Sequence, residues 1–117
     1  MLSLSGSLKI YLAVDPFDMR AGFNGLHAAV QTKLRMDCRS GALFCFTNKR
    51  RSRLKILYWD GTGLWVLAKR LEKGTFAWPA ATGDGAPSLG LDPAAFAMLT
   101  DGIDLRDGCR RPWYQRE

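Results

Sequence analysis

From Ala42 to Ala68 the chain is close to committed to antiparallel β-structure. Ala42 to Thr47 is an apolar, β-prone run, and Leu54 to Trp59 alternates Leu54, Ile56 and Tyr58 against Lys55, Leu57 and Trp59. Alternation with period two is the signature of a strand. Asp60-Gly61-Thr62-Gly63 follows as a turn, because Asp-Gly tolerates the positive φ that tight hairpins need. Leu64 to Ala68 then returns as another strand. Asn48-Lys49-Arg50-Arg51-Ser52-Arg53 lies between the first two runs and is expected to be a hairpin tip carrying four cations.

The flanking segments extend this sheet. Leu8 to Val14 reads as a strand with Leu8, Ile10, Leu12 and Val14 on one face, broken by Asp15-Pro16. The segment to about Met36 reads as a helix, since Phe23, Leu26, Val30 and Leu34 form one apolar stripe. Asp15 or Asp18 is placed to cap it, and Gly22 and Gly25 weaken its early turns. Thr75 to Trp78 suggests a further short strand, and the Gly-, Ala- and Pro-rich residues 80–90 a mobile loop. Asp92-Pro93 opens a short helix that Gly102 would close, with Phe96 and Leu99 docking it on the sheet. Residues 106–117 read as a loosely held tail. The expected architecture is one α+β domain over residues 1–117. It has a mostly antiparallel sheet, a β-meander, with one long helix packed on it and a short C-terminal helix.

The net charge of +6 is concentrated in the centre. Residues 31–80 hold eleven basic and three acidic residues, a net +8, whereas residues 81–117 sum to −2. Such a basic segment favours polyanionic partners, nucleic acid above all. The three cysteines, Cys38, Cys45 and Cys109, have no disulfide-framework or zinc-site spacing. Met1 to Leu8 lacks the basic start and long apolar run of a signal peptide, and no run is long enough to span a membrane. A reducing cytoplasm is the expected compartment.

Two basic groups are the candidate nucleic-acid-binding residues. One is the tip, Lys49, Arg50, Arg51 and Arg53, continued by Lys55 on the strand. The other is Lys69, Arg70 and Lys73 after the later strand. Clustered cations repel unless an anion neutralises them, and a basic hairpin can enter a duplex groove where arginines fork onto phosphates or guanine edges. The plainer alternative is a solvated turn whose charges protect a sheet edge. Tyr58, Trp59, Trp65, Phe76 and Trp78 are interleaved with these cations and suit either base stacking or core packing. Catalytic chemistry is poorly represented, so an enzyme, cofactor or metal is not expected. His27 is the sole histidine and lies near the helical stripe, and a metal nuclease would have to bring together Asp15, Asp18 and Asp60.

Asp18-Met19-Arg20, Gly25-Leu26, Gly41 to Arg51, Leu54 to Gly61 and Gly63-Leu64-Trp65 together resemble one family. Lys69 to Pro79 and Leu99 to Asp104 continue the likeness, from about Lys9 to Arg111. The chain is similar to the Orf2-like accessory proteins of bacterial insertion sequences of the sixty-six class, also called TnpB. These are distinct from the RNA-guided nucleases sharing that name. The resemblance implies an accessory role in transposition beside a separately encoded transposase that carries the strand-transfer chemistry. It supplies no catalytic residues. Three functions are therefore expected in order: DNA binding through the basic hairpin face, protein docking on the transposase, and metal-dependent cleavage. The sequence departs from the family's basic tail at Asp107-Gly108-Cys109.

Overall fold

Residues 8–81 and 83–101 are described by the computed structural model. The elements run β1 (Ile10–Ala13), α1 (Phe23–Thr32), a 3-10 turn (Cys38–Ser40), β2 (Leu43–Thr47), β3 (Arg53–Trp59), β4 (Leu64–Arg70), β5 (Ser88–Leu91) and α2 (Pro93–Thr100). The five strands form one sheet in the order β4-β3-β2-β1-β5. β2, β3 and β4 are antiparallel to one another in sequence order, and β5 is antiparallel to β1. β1 and β2 are parallel, with Ile10 beside Leu43 and Leu12 beside Cys45. Parallel neighbours need a crossover connection, and α1 lies within it.

Both faces of the sheet are covered. α1 sends Leu26, Ala29 and Val30 against Phe44, Phe46 and Leu57 on one face. On the other, Ile10, Leu12, Leu43, Cys45, Leu54 and Ile56 meet Phe76, Trp78 and the α2 residues Phe96 and Leu99. β2 is central and buried on both sides, which explains why Leu43-Phe44-Cys45-Phe46 is apolar without alternation. Asp92 accepts a hydrogen bond from the Ala95 N–H at 2.8 Å, so α2 starts at the expected cap with Pro93 in its first turn.

Several expectations are corrected. α1 ends at Thr32 rather than near Met36. Leu34 and Met36 donate their N–H groups to Ala29 and Val30, and Arg35 turns left-handed at φ 56°. Leu34 remains buried in this widened turn, so the apolar stripe outlasts the helix. Neither Asp15 nor Asp18 caps α1; Gly22 occupies that position without a side-chain bond. Thr75 to Trp78 is not a strand. Its backbone docks on the hairpin tip while Phe76 and Trp78 fill the core. The segment expected as a loop to Gly90 contributes β5 from Ser88 onward, where Val14 donates to the Pro87 carbonyl at 3.0 Å as the pairing begins. The helix stop at Gly102, the tail, Cys109 and the departure at Asp107-Gly108-Cys109 lie outside the described residues.

Candidate nucleic-acid interface

The β2–β3 connection is organised by one side chain. Asn48 Oδ1 accepts from the N–H groups of Ser52 at 2.9 Å and Arg53 at 3.1 Å, and Asn48 Nδ2 donates to Ser52 Oγ at 3.1 Å. The Asn48 carbonyl accepts from the Arg51 N–H at 3.0 Å, closing the turn. Arg51 follows in the left-handed region at φ 56°, a position usually given to Gly or Asn. Thr47 Oγ1 donates to the Arg53 carbonyl at 2.8 Å and locks the base of the loop. Asparagine suits this position because its short amide bonds readily to nearby backbone.

A second segment seats against this loop. The chain leaving β4 donates from the Leu71 N–H to the Ser52 carbonyl at 3.0 Å. It donates again from the Phe76 N–H to the Arg51 carbonyl at 2.7 Å. Leu71 and Phe76 are buried beneath, anchoring the segment. Between the two walls lies an open concavity of about 580 Å³. Arg50 and Arg53 line one wall, Arg70 and Lys73 the other, and Glu72 adds a single carboxylate. Arg53 and Arg70 are direct partners in the β3–β4 ladder. Among the described residues these four cations make no ion pair.

The eight expected binding residues thus divide. Arg50, Arg53, Arg70 and Lys73 converge, although they come from two segments of the sequence. Lys49 and Arg51 are exposed on the tip but do not line the concavity. Lys55 is half-buried on the α1 face and donates to the Ala21 carbonyl at 2.8 Å, holding the approach to α1. Lys69, on the opposite face, donates to the Thr100 carbonyl at 2.6 Å at the end of α2. A cation there complements the partial negative charge of the helix C-terminus. Strand alternation sends neighbouring cations to opposite faces, and this divides Lys69 from Arg70.

The aromatic residues divide as well. Phe76 and Trp78 are core, and the Trp78 indole N–H donates to the buried Ala13 carbonyl at 2.9 Å. Trp59 is half-buried under the Arg39 guanidinium, 5.1 Å from the ring centroid. Trp65 is 56 % exposed, with its indole N–H donated to Asp60 Oδ2 at 2.8 Å. Asp60 Oδ1 also accepts from Thr62 and Gly63, and Gly61 takes φ 101° as the turn requires. The Thr62 backbone N–H first, then the Trp65 indole, hold the Asp60 carboxyl well below the usual carboxylate range.

Residues 8–110 match the family model described as IS66 Orf2 like protein. The chain belongs to that family. Two curated relatives, both from Sinorhizobium fredii (strain NBRC 101917 / NGR234), are similar to this Orf2-like protein. The uncharacterized protein y4jC is 40 % identical over 112 residues, covering 96 % of this chain and 93 % of its own. The uncharacterized protein y4hO is 36 % identical over 106 residues, covering 91 % and 90 %. No solved structure matches the chain. The family is one of transposon-associated accessory proteins rather than a known enzyme family.

The remaining reactive groups of this Orf2-like protein have structural surroundings. Phe17 donates to the Thr47 carbonyl, which puts the segment from Asp15 to Arg20 at the hairpin-tip end of the sheet. Asp60 closes the β3–β4 turn at the opposite end, so Asp15, Asp18 and Asp60 do not converge. Among the described residues no group of three His, Cys, Asp or Glu is arranged to hold a metal. Burial pushes the Cys45 thiol well above its usual pKa, and burial followed by the Asp37 charge raises Cys38. Among the described residues no helix is long and apolar enough to cross a membrane. Sequence reasoning missed Asn48 as organiser of the tip and Glu72 as the concavity's carboxylate. The Asn-to-Ser spacing was a visible turn signal for the first. Nothing local marked the second.

Proposed function

We propose that this accessory protein binds DNA of its insertion sequence through the concavity between the β2–β3 tip and the segment following β4. There it holds the DNA for the transposase encoded by the same element, in the cytoplasm. One observation carries the reading: four cations from two chain segments converge, and among the described residues none of them is in an ion pair. Arg53 and Arg70 oppose each other directly, an arrangement that costs stability when no anion is present. Guanidinium and ammonium groups so arranged suit phosphate oxygens. A mobility-shift titration tests it. Replacing Arg50, Arg53, Arg70 and Lys73 together by Ala should remove most affinity, and removing Lys49 and Arg51 should weaken it less. Unchanged affinity in the fourfold variant overturns the assignment.

Docking on the transposase is a second reading, favoured by the exposed Phe23 and Trp65, 52 % and 56 % accessible. Large apolar groups standing in solvent suit a protein partner. Co-purification with the transposase after nuclease treatment, lost in a Phe23→Ser, Trp65→Ser variant, would establish it. Co-purification abolished by nuclease alone would count against it.

A further inference from the structure

We infer that the concavity takes the sugar-phosphate backbone of duplex DNA and does not take unpaired strands. This rests on the DNA-binding reading above and specifies its ligand. The concavity is lined by the cations Arg50, Arg53, Arg70 and Lys73 with Glu72 beside them.

Single-strand grooves combine cations with aromatic rings on which bases stack. Here the rings nearest the concavity in sequence, Phe76 and Trp78, are 1 % and 5 % exposed, and the Trp78 N–H is bound to Ala13. The exposed ring of β4, Trp65, is five residues from Arg70. At about 3.3 Å per residue this puts them roughly 17 Å apart. An odd spacing also sends the two side chains to opposite faces of the sheet. A strand whose phosphates lie in the concavity therefore does not place its bases on Trp65. Both walls are tied together by the Leu71–Ser52 and Phe76–Arg51 hydrogen bonds, so the cations stand on a braced platform suited to a stiff ligand.

The test measures binding of the full chain to labelled short duplexes of several sequences, and to their separated strands, over a range of salt. Duplexes should bind about tenfold or more tightly than single strands. The salt slope of the wild type should exceed that of the fourfold alanine variant by about 3.6, four cations at about 0.9 each. Glu72→Gln should tighten duplex binding several-fold by removing a carboxylate from the concavity. Single strands binding as tightly as duplexes overturns this inference while the DNA-binding reading stands. Absence of binding to either form overturns both.

Discussion

Arg53 and Arg70 stand directly opposite each other across the β3–β4 ladder, and among the described residues neither has a carboxylate partner. Like charges at that spacing destabilise a sheet. Replacing Arg70 by Glu creates an opposite-charge pair in the same register. We expect unfolding stability to rise by about 0.5 kcal/mol, read from the urea midpoint. DNA affinity should fall at least tenfold in the same variant. A rise in both quantities would mean the pair has no role in binding.

Asn48 makes three side-chain hydrogen bonds that define the hairpin tip. Asn48→Ala leaves the Ser52 and Arg53 N–H groups to find water, at a cost of about 1–3 kcal/mol. Chemical denaturation of the variant checks the magnitude. Salt-sensitive DNA binding should weaken too, because Arg50 and Arg53 flank the loosened loop.

Arg51 occupies a left-handed conformation that glycine adopts without strain. Arg51→Gly should therefore stabilise the fold by about 1 kcal/mol, detectable as a raised thermal midpoint. Its backbone carbonyl still accepts from Phe76, so the concavity is retained. Duplex affinity should drop less than in Arg50→Ala.

Trp78 joins the core to β1 by donating to the buried Ala13 carbonyl. Trp78→Phe keeps most of the ring but removes the indole hydrogen bond to that carbonyl, a loss of about 0.5–1.5 kcal/mol. Trp78→Ala should cost more, about 3–5 kcal/mol, by opening a cavity. Urea unfolding of both variants separates the hydrogen bond from the packing.

Asp18 and Asp60 make stability sensitive to acid. The Arg20 side chain lowers the Asp18 carboxyl from 3.8 to about 2, and Asp60 is held below the ordinary range by its turn. Folded values lie below unfolded ones, so the stabilisation is present above the ordinary carboxylate pKa. It is lost as pH falls from about 4 toward 2. Thermal midpoints should decline over that window, and less steeply in an Asp18→Asn, Asp60→Asn variant. Trp65 fluorescence should change as Asp60 gains its proton, because the indole donates to that carboxylate.

Much of this protein was legible locally. The Leu54 to Trp59 alternation, the Asp60-Gly61 turn and the Asp92-Pro93 cap each express a preference that neighbouring residues settle among themselves. The basic tip was legible for the same reason, since its charges are consecutive. β5 was not: Ser88 to Leu91 is too short and glycine-bearing to declare itself, and its partner β1 lies more than seventy residues away. The fates of the cations were also hidden. Lys55 and Lys69 look like Arg53 and Arg70 in sequence, yet two bind backbone carbonyls and two line the concavity. Composition determined by itself that the centre would be basic. Only the tertiary structure decided which of its charges meet, because register and strand alternation choose a face for each side chain and long-range docking chooses its neighbours.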